Sequence, residues 1–498
     1  MDYQIKKLET ELRKGNKMRK TKIVCTIGPA SESEETLRKM MKAGMNVTRI
    51  NFSHGSMVDQ IEKVNTIKRV REELNLPVAL LLDTQGPEIR TGKLEGIEQP
   101  VYLEAGNKFV LVNEDIIGNV ERTSVSYKNL YKDVKVGTSI LVDDGAIELK
   151  VEEIVGKDIH CKVVNGGKLG NRKSINVPGT HVSIPNLSEK DYRDLADCAK
   201  EGFDYVAASF IRSAKDVLDI RKVLDDNGGN NIKIISKIES TEGVENFDEI
   251  LAASDGIMVA RGDLSVEIPM EDVPILQKQM IKKCNRAGKP VITATQMLES
   301  MQHNPRPTRA EVSDVANAIF DMTGAIMLSG ESAMGEYPVE CVKTMERIAN
   351  KIEDNIKYWK RFKKRDYDYK NLNYEFNLNI ANCTTAMDMG ADAIVAYTQA
   401  GDTPRIISGL CPACPIYAVT TNKQTFRQLG LSWGVYPILV EEKETADEVI
   451  EEGIEILQKE GKLKSGDTVV VAGGAHILDG ESTKKAKMNR VIGGVLKI

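Results

Sequence analysis

Eight short apolar runs, each the length of one β-strand, recur through the first two thirds of the chain. They are TKIVCTI (21–27), NVTRIN (46–51), PVALLLD (77–83), FDYVAASF (203–210), IKIISK (232–237), DGIMVA (255–260), PVITAT (290–295) and AIMLS (325–329). Continuous runs of this kind suit strands buried on both faces of a parallel sheet. Helical patterns lie between them. SEETLRKMMKAG begins on a capping serine followed by acids and closes on glycine, while SMVDQIEKVNTIKRVREEL and AEVSDVANAIFD space their apolar residues by three and four. Eight strands alternating with helices, the last followed by a helix over about 339–356, is the count of an α/β (β/α)8 TIM barrel. A doubly wound open sheet is the competing arrangement.

One long gap breaks the alternation. Between the third and fourth runs the chain is rich in Val, Thr and Lys, with turn signals DDG (143–145) and NGG (165–167). Short strands between such turns predict a small all-β insertion, placed over the C-terminal end of the third barrel strand as a lid. After residue 356 comes KYWKRFKKRDYDYKNLNY, read as a linker with a solvated face. Beyond it ADAIVAYT, PIYAVT, GVYPILV and DTVVVAGG alternate with helical patterns, which predicts a separate α/β domain with a largely parallel sheet. The expected division is therefore 1–88 (first part of the barrel, with an N-terminal helix), 89–185 (β-rich lid), 186–356 (second part of the barrel) and 357–498 (C-terminal domain).

Charge and targeting narrow the partners. With 68 basic and 73 acidic residues the net charge is 68 − 73 = −5, so no bulk field draws the chain to nucleic acid or an anionic membrane. No stretch reaches the roughly 18 consecutive apolar residues of a membrane span. The charged start MDYQIKKLETELRKGNKMRK lacks the apolar core of a signal peptide. These features predict a cytoplasmic protein. Its eight cysteines are then expected to be reduced and buried, including the CPAC pair Cys411 and Cys414, which no second pair or nearby histidine completes into a metal set.

In a barrel of this class chemistry sits where strands end. Nearly every run ends in groups able to bind metal or phosphate: Arg49, Asn51, Ser53 and His54; Asp83, Thr84, Glu88 and Arg90; Ser209 and Arg212; Lys237 and Glu239; Arg261 and Asp263; Thr295 and Gln296; Ser329 and Glu331. Each has a plainer reading. Glu239 could cap the helix beginning near Ser240, Lys237 could snorkel from a strand end, and Asp263 could make an Asx turn. Their convergence favours chemistry. Two carboxylates, Glu239 and Asp263, are a minimal protein ligand set for Mg²⁺, and Arg49, Arg90 and Lys237 would face developing negative charge. The implied class is metal-assisted phosphoryl or enolate chemistry. No P-loop and no G-x-G-x-x-G at a strand-to-helix junction is present, so a nucleotide would be held without either fingerprint. His54 is read as a hydrogen-bonding residue beside the substrate rather than a base.

TKIVCTIGPAS, NVTRINFSHG, LDTQGPEIRTG, IISKIESTEGV, GIMVARGDL, ATQMLESM, PRPTRAEVSDVANAI and MLSGESAMGEYP resemble, in order and at the expected spacing, the consecutive motifs of pyruvate kinase. The resemblance implies phosphoryl transfer from phosphoenolpyruvate to ADP, giving pyruvate and ATP, with Mg²⁺ (or Mn²⁺) and K⁺. Position by position it implies Glu239 and Asp263 as Mg²⁺ ligands and Lys237 as the cation on the transferring phosphoryl group. It implies Asn51, Ser53, Asp83 and Thr84 as the K⁺ site, and Arg49 and Arg90 as phosphate contacts, with Asn51, His54 and Arg90 on the nucleotide side. Ala260, Arg261, Gly262 and Asp263 would hold the substrate together with Thr295, which would lie near the proton path to the enolate. Glu88 matches the position whose acid accompanies K⁺ dependence, because a carboxylate there leaves the pocket short of positive charge. A homotetramer is implied, and a phosphorylated effector at the C-terminal domain is expected to have an altered role or none. The loop TQAGDTPRII has Ala400 in place of a hydroxyl, and CP stands where arginine-proline is usual. Five further departures are Gln85 for lysine, Ser174 and Ser265 for glycine, and Met322 and Gly324 for glycine and aspartate in DMTGAIML. Two competitors stay open on the sequence: a metal-dependent barrel enzyme of enolate or keto-acid chemistry, such as an aldolase, and a catalytically weak regulatory paralogue.

Overall fold

The computed structural model describes residues 18–53, 55–96, 100–365, 373–475, 490–491 and 494–497. The expected N-terminal helix and His54 lie outside the described residues.

The eight runs form eight strands: β1 (Lys22–Thr26), β2 (Val47–Asn51), β3 (Ala79–Asp83), β4 (Tyr205–Ala208), β5 (Lys233–Ile238), β6 (Gly256–Ala260), β7 (Val291–Ala294) and β8 (Ala325–Leu328). They close in the order β1-β8-β7-β6-β5-β4-β3-β2 into a parallel barrel, which excludes the open doubly wound sheet. Every residue of β1, β3, β4, β6, β7 and β8 is buried, which is why these runs carry no polar alternation. The intervening helices start where side chains can satisfy their first N–H groups. Ser33 accepts from Thr36 N, and Ser188–Asp191, Ser213–Asp216 and Thr308–Glu311 form reciprocal capping boxes.

The chain divides into two compact units, 51–59 with 82–277, and 1–50 with 60–81 and 278–498. The first contains β4–β6 and the insertion, whose strands make one seven-stranded and one two-stranded sheet around Phe109, Ile140, Leu149 and Ile159. The DDG turn is there, with Asp143 and Asp144 at φ 55° and 53°. Ser174 Oγ donates to Asp144 Oδ1 at 2.9 Å and accepts from its N–H at 3.2 Å, so the serine clamps that turn. NGG makes no hairpin: the chain passes from strand Asp158–Asn165 directly into Gly167–Leu169. A Cβ on Gly166 would stand 2.3 Å from Leu103 O, so the glycine marks a close crossing of backbones.

The second unit contains β1, β2, β7 and β8 and the C-terminal sheet. There strands Val435–Leu439, Ile416–Thr420, Ala393–Tyr397 and Thr468–Ala475 pair in parallel, and Gly494–Lys497 returns antiparallel. The stretch expected to be a solvated linker is instead anchored. Its first part is the helix Tyr358–Lys363, which buries Tyr358 and Phe362 and sets Tyr358 against Trp433 at 5.4 Å between ring centroids. Alternating aromatic and basic residues give such a helix one buried and one wet face. Residues 366–372 of that stretch lie outside the described residues.

Candidate active site at the strand ends

Strand β5 carries the centre of the site. Lys237 Nζ lies 2.9 Å from Glu239 Oε1 and 3.2 Å from Asp83 Oδ1, and donates to Ser209 Oγ at 2.8 Å. All four residues are buried. Ser209 ties the cluster to the neighbouring strand end, accepting from Lys237 and donating to Thr84 O at 2.7 Å, while its N–H donates to Thr84 Oγ1. Sequence reasoning noticed Ser209 as a strand-end residue without giving it a role. The small side chain after the β4 run was the available signal.

Glu239 does not cap the following helix, because Ser240 Oγ takes the Gly243 N–H. Its Oε2 accepts Phe210 N at 2.6 Å, and Phe210 sits at φ 53° to deliver that bond. Its Oε1 is within ion-pair distance of Lys237 yet accepts no aligned hydrogen bond. A buried carboxylate oxygen without a hydrogen bond is costly, and burial pushes the Glu239 carboxyl up to about 7, with Lys237 opposing and Asp263 adding to the rise. Asp83 and Glu239 thus flank the Lys237 ammonium inside one buried cluster. Among the described residues no three or more His, Cys, Asp or Glu gather as a metal cage. The donor set fits a hard cation held by two carboxylates that takes its remaining ligands from water and substrate oxygens.

Asp263 is not at the strand end itself. Strand β6 stops at Ala260, and Asp263 lies in the first turn of helix Arg261–Glu267, with no side chain capping that helix at Ala260. Arg261 Nη1 reaches Gln277 Oε1 at 3.4 Å, and Gly262 O accepts Ser265 Oγ at 2.8 Å. A cavity of about 380 Å³ opens beside Asp263, lined also by Glu88, Phe210, Arg212, Glu242 and Glu267 and by insertion residues 174–184. The insertion is fastened to this wall. Asn176 Nδ2 donates to Glu267 Oε1 at 3.1 Å, His181 Nδ1 lies 3.1 Å from Glu242 Oε2, and Arg212 donates to Val182 O and Ile184 O. None of these ties was read from the sequence, since each joins residues tens of positions apart.

The other expected residues fall as follows. Asn51 Oδ1 accepts Ser53 N at 3.0 Å, and Phe52 N donates to Asp83 O, which sets Asn51, Ser53, Asp83 and Thr84 on adjoining strand ends. Arg90 Nη2 pairs with Glu88 at 2.7 Å, and its Nη1 donates to Arg172 O, so the Glu88 carboxylate is partly neutralised from within the protein. Arg49 and Thr295 belong to the other compact unit. Arg49, in β2, donates from Nη1 to Thr26 Oγ1 at 2.8 Å. Thr295 follows β7 at φ 68° with Gln296 at φ 53°. A β-branched residue in that region is a true outlier, of the kind that concentrates at functional sites. Glu331 is fully buried just after β8, where Oε1 accepts Leu298 N at 3.0 Å and Oε2 accepts Ser329 N at 2.7 Å.

Residues 18–342 match the family described as pyruvate kinase, barrel domain, and residues 378–490 match pyruvate kinase, alpha/beta domain. The chain is 51% identical to a pyruvate kinase of Clostridium acetobutylicum over 92% of its own length and 96% of the relative's. It is 48% identical to one from Sporosarcina psychrophila over 96% of its length and 81% of the relative's, and 47% identical to one from Geobacillus stearothermophilus over 95% and 80%.

Proposed function

The chain belongs to the pyruvate kinase family, and from that membership we infer how its residues carry out the transfer. The reaction is the glycolytic one: the phosphoryl group of phosphoenolpyruvate passes to ADP, giving ATP and pyruvate. The P–O bond to the enol oxygen breaks, a β-phosphate oxygen of ADP forms the new bond, and the enolate takes a proton. The expected competitor of aldolase type falls away with family membership.

Glu239 and Asp263 are the residues that would hold Mg²⁺ or Mn²⁺, and the observation that carries this is the buried Glu239 oxygen without a hydrogen bond beside Lys237. Such an ion supplies neutralising charge to phosphate oxygens. Asn51, Ser53, Asp83 and Thr84 would hold K⁺, in keeping with their oxygen-rich, adjoining strand ends. Lys237 is held by three oxygen-bearing neighbours, and its ammonium is preorganised to stabilise charge on the transferring phosphoryl group. Arg49 is assigned to the phosphoryl group and the substrate. Asn51, His54 and Arg90 are assigned to the nucleotide side, although His54 lies outside the described residues. Ala260, Arg261 and Gly262 are assigned to the substrate carboxylate, and Thr295 to the proton path. The insertion 89–185 is the lid that would exclude water, so that the phosphoryl group meets ADP instead of hydrolysing. The remaining division, 1–88 with 186–356 as barrel and 357–498 as C-terminal domain, a cytoplasmic location and a homotetramer belong to the same reading. Among the described residues no helix is long and apolar enough to cross a membrane. A phosphorylated effector at the Thr398–Asp402 loop would have an altered role or none, in keeping with Arg405 Nη1 donating to Ala400 O at 2.8 Å.

The test is ATP formation from ADP and phosphoenolpyruvate with Mg²⁺, with and without K⁺. The expected result is turnover that K⁺ raises and that Lys237→Ala lowers by about 10³-fold or more. Binding of phosphoenolpyruvate without turnover would favour the weak paralogue, and near-normal turnover in Lys237→Ala would remove the role given to that residue.

A further inference from the structure

The insertion returns to the barrel through residues 178–187, which form neither helix nor strand. Among the described residues this stretch makes one backbone–backbone hydrogen bond, Thr180 N to Val177 O at 3.1 Å. Its other backbone groups need other partners, and at its centre two charged side chains supply them. Arg212 Nη1 donates to Val182 O at 2.7 Å, and Nη2 donates to Ile184 O at 2.8 Å. Between them Ser183 turns to Asp133, whose Oδ2 accepts Ser183 N at 2.9 Å and whose Oδ1 accepts Ser183 Oγ at 3.1 Å. The alternation is that of an extended chain, whose successive residues bond in opposite directions.

The two anchors belong to different parts of the fold. Asp133 ends the short helix Leu130–Asp133 of the insertion and accepts Tyr127 Oη at 2.9 Å, and Tyr127 is part of the insertion's core. Val182 and Ile184 pack against that same core. Arg212 is fixed on the barrel side. Its N–H donates to Asp216 Oδ2 at 2.9 Å, and its C=O accepts Asn246 Nδ2 at 2.8 Å. The segment 182–184 is therefore part of the insertion, and Arg212 is the barrel's grip on it. The plainer reading is that Arg212, which lines the 380 Å³ cavity beside Asp263, is a cation for a substrate phosphate. Its two terminal nitrogens are instead given to backbone carbonyls, an arrangement that suits the rigid fork of a guanidinium.

We propose that Arg212 is a positioning residue: with Asp133 it clamps Val182–Ile184 from both sides and so seats the insertion beside the cavity. The proposal rests on reading the insertion as the lid that keeps water from the phosphoryl group. With the clamp loosened, water competes with ADP. Its oxygen forms the new bond to phosphorus as the P–O bond to the enol oxygen breaks. Inorganic phosphate leaves, and the enolate takes a proton to give pyruvate.

The test compares the full chain with Arg212→Lys and Asp133→Asn in two measurements. One is amide hydrogen exchange over residues 174–184. The other is inorganic phosphate released per pyruvate formed, with phosphoenolpyruvate, ADP, Mg²⁺ and K⁺. Lysine keeps the charge and loses the fork, so it rescues a phosphate contact but not a clamp. Asp133 is not among the residues lining the cavity, so it reaches the reaction only through the segment. Loss of one charge-assisted hydrogen bond corresponds to about tenfold or more in an opening equilibrium. Exchange is therefore expected to quicken by about tenfold in Arg212→Lys, and to quicken also in Asp133→Asn. Phosphate released per pyruvate should rise in both. Unchanged exchange in either variant would overturn the clamp, and Asp133→Asn alone decides it if Arg212→Lys does not fold. Faster exchange with an unchanged phosphate ratio would overturn the lid reading, and with it the effect on water. A chain that forms no pyruvate at all would remove the assigned reaction, while the exchange measurement would still decide the clamp.

Discussion

Two residues that depart from the family pattern receive opposite explanations from the backbone. Ser265 is not at positive φ. It lies within helix Arg261–Glu267 and donates to Gly262 O, so no strain is stored beside Asp263. Glycine at that position would loosen the turn, and Ser265→Gly should cost about 0.5–1 kcal/mol while leaving turnover within about twofold. Urea midpoints and steady-state rates check both; a gain in stability would show that the serine is strained after all. Met322 is the reverse case. Helix Arg309–Phe320 ends in a Schellman arrangement, Thr323 N to Ala318 O and Met322 N to Ile319 O, with Met322 at φ 72°. That position favours glycine, and a left-handed side-chain-bearing residue costs about 1–2 kcal/mol against a smaller entropic cost for glycine. Met322→Gly should therefore stabilise the protein by about 0.5–1 kcal/mol, read from the shift of the denaturant midpoint. Nothing in the structure explains Gln85.

At the scale of elements, the barrel strands were legible to within about two residues because burial on both faces forces continuous apolar runs. The insertion was legible as β-rich for the opposite reason, its strands being short and its turns marked. Misreadings arose where local composition competes with tertiary context. NGG looked like a turn and is a crossing of backbones, and an aromatic-basic stretch looked solvated and is half a docked helix. The candidate site was legible as a list of strand-end residues, but the part played by Ser209 was not, since it acts through Lys237 and Thr84, distant in sequence. Glu331 fixes two successive strand-to-helix loops through Leu298 N and Ser329 N. Each buried N–H left unsatisfied costs about 1–3 kcal/mol, so Glu331→Ala should cost about 2–6 kcal/mol, and Glu331→Gln, which keeps one acceptor, clearly less. Because Leu298 N lies three residues past Thr295, turnover should fall in the same order. Equal stability of Glu331→Ala and Glu331→Gln would show that the two loops are held some other way.

For the molecule as a whole, the most informative lever is pH acting through the segment that joins β1 to the C-terminal sheet. Lys22 is 3% exposed, its Nζ donates to Val435 O at 2.6 Å, and it lies 4.8 Å from the centre of the Tyr436 ring. Lys20 Nζ donates to Pro412 O at 2.9 Å and sits over the rings of Tyr358 and Trp433. Glu353 lies beside them, accepting the backbone Lys20 N at 2.9 Å and Thr21 N at 2.7 Å. Burial pushes the Lys22 ammonium down to about 7; the neighbouring Arg19 pushes the same way, and Glu353 opposes. An unfolded lysine titrates near 10.4. Between those two values the unfolded chain holds the proton that the folded chain has released, so stability contributed through Lys22 rises with pH from about 7 toward 10. Below about 7 the buried charge is present in full and its cost is greatest. Trp359 and Trp433, the only two tryptophans, flank this junction, so their fluorescence reports its unfolding. Urea midpoints followed by that signal should climb between pH 7 and pH 9.5 in the unsubstituted protein more than in Lys22→Met, which has no ammonium to release its proton. The two proteins should converge at the upper end and diverge at the lower, with Lys22→Met the more stable there. Parallel pH curves for both would mean that the ammonium bond to Val435 O and the Tyr436 ring already offset the cost of burying Lys22, and that the junction is held independently of its charge.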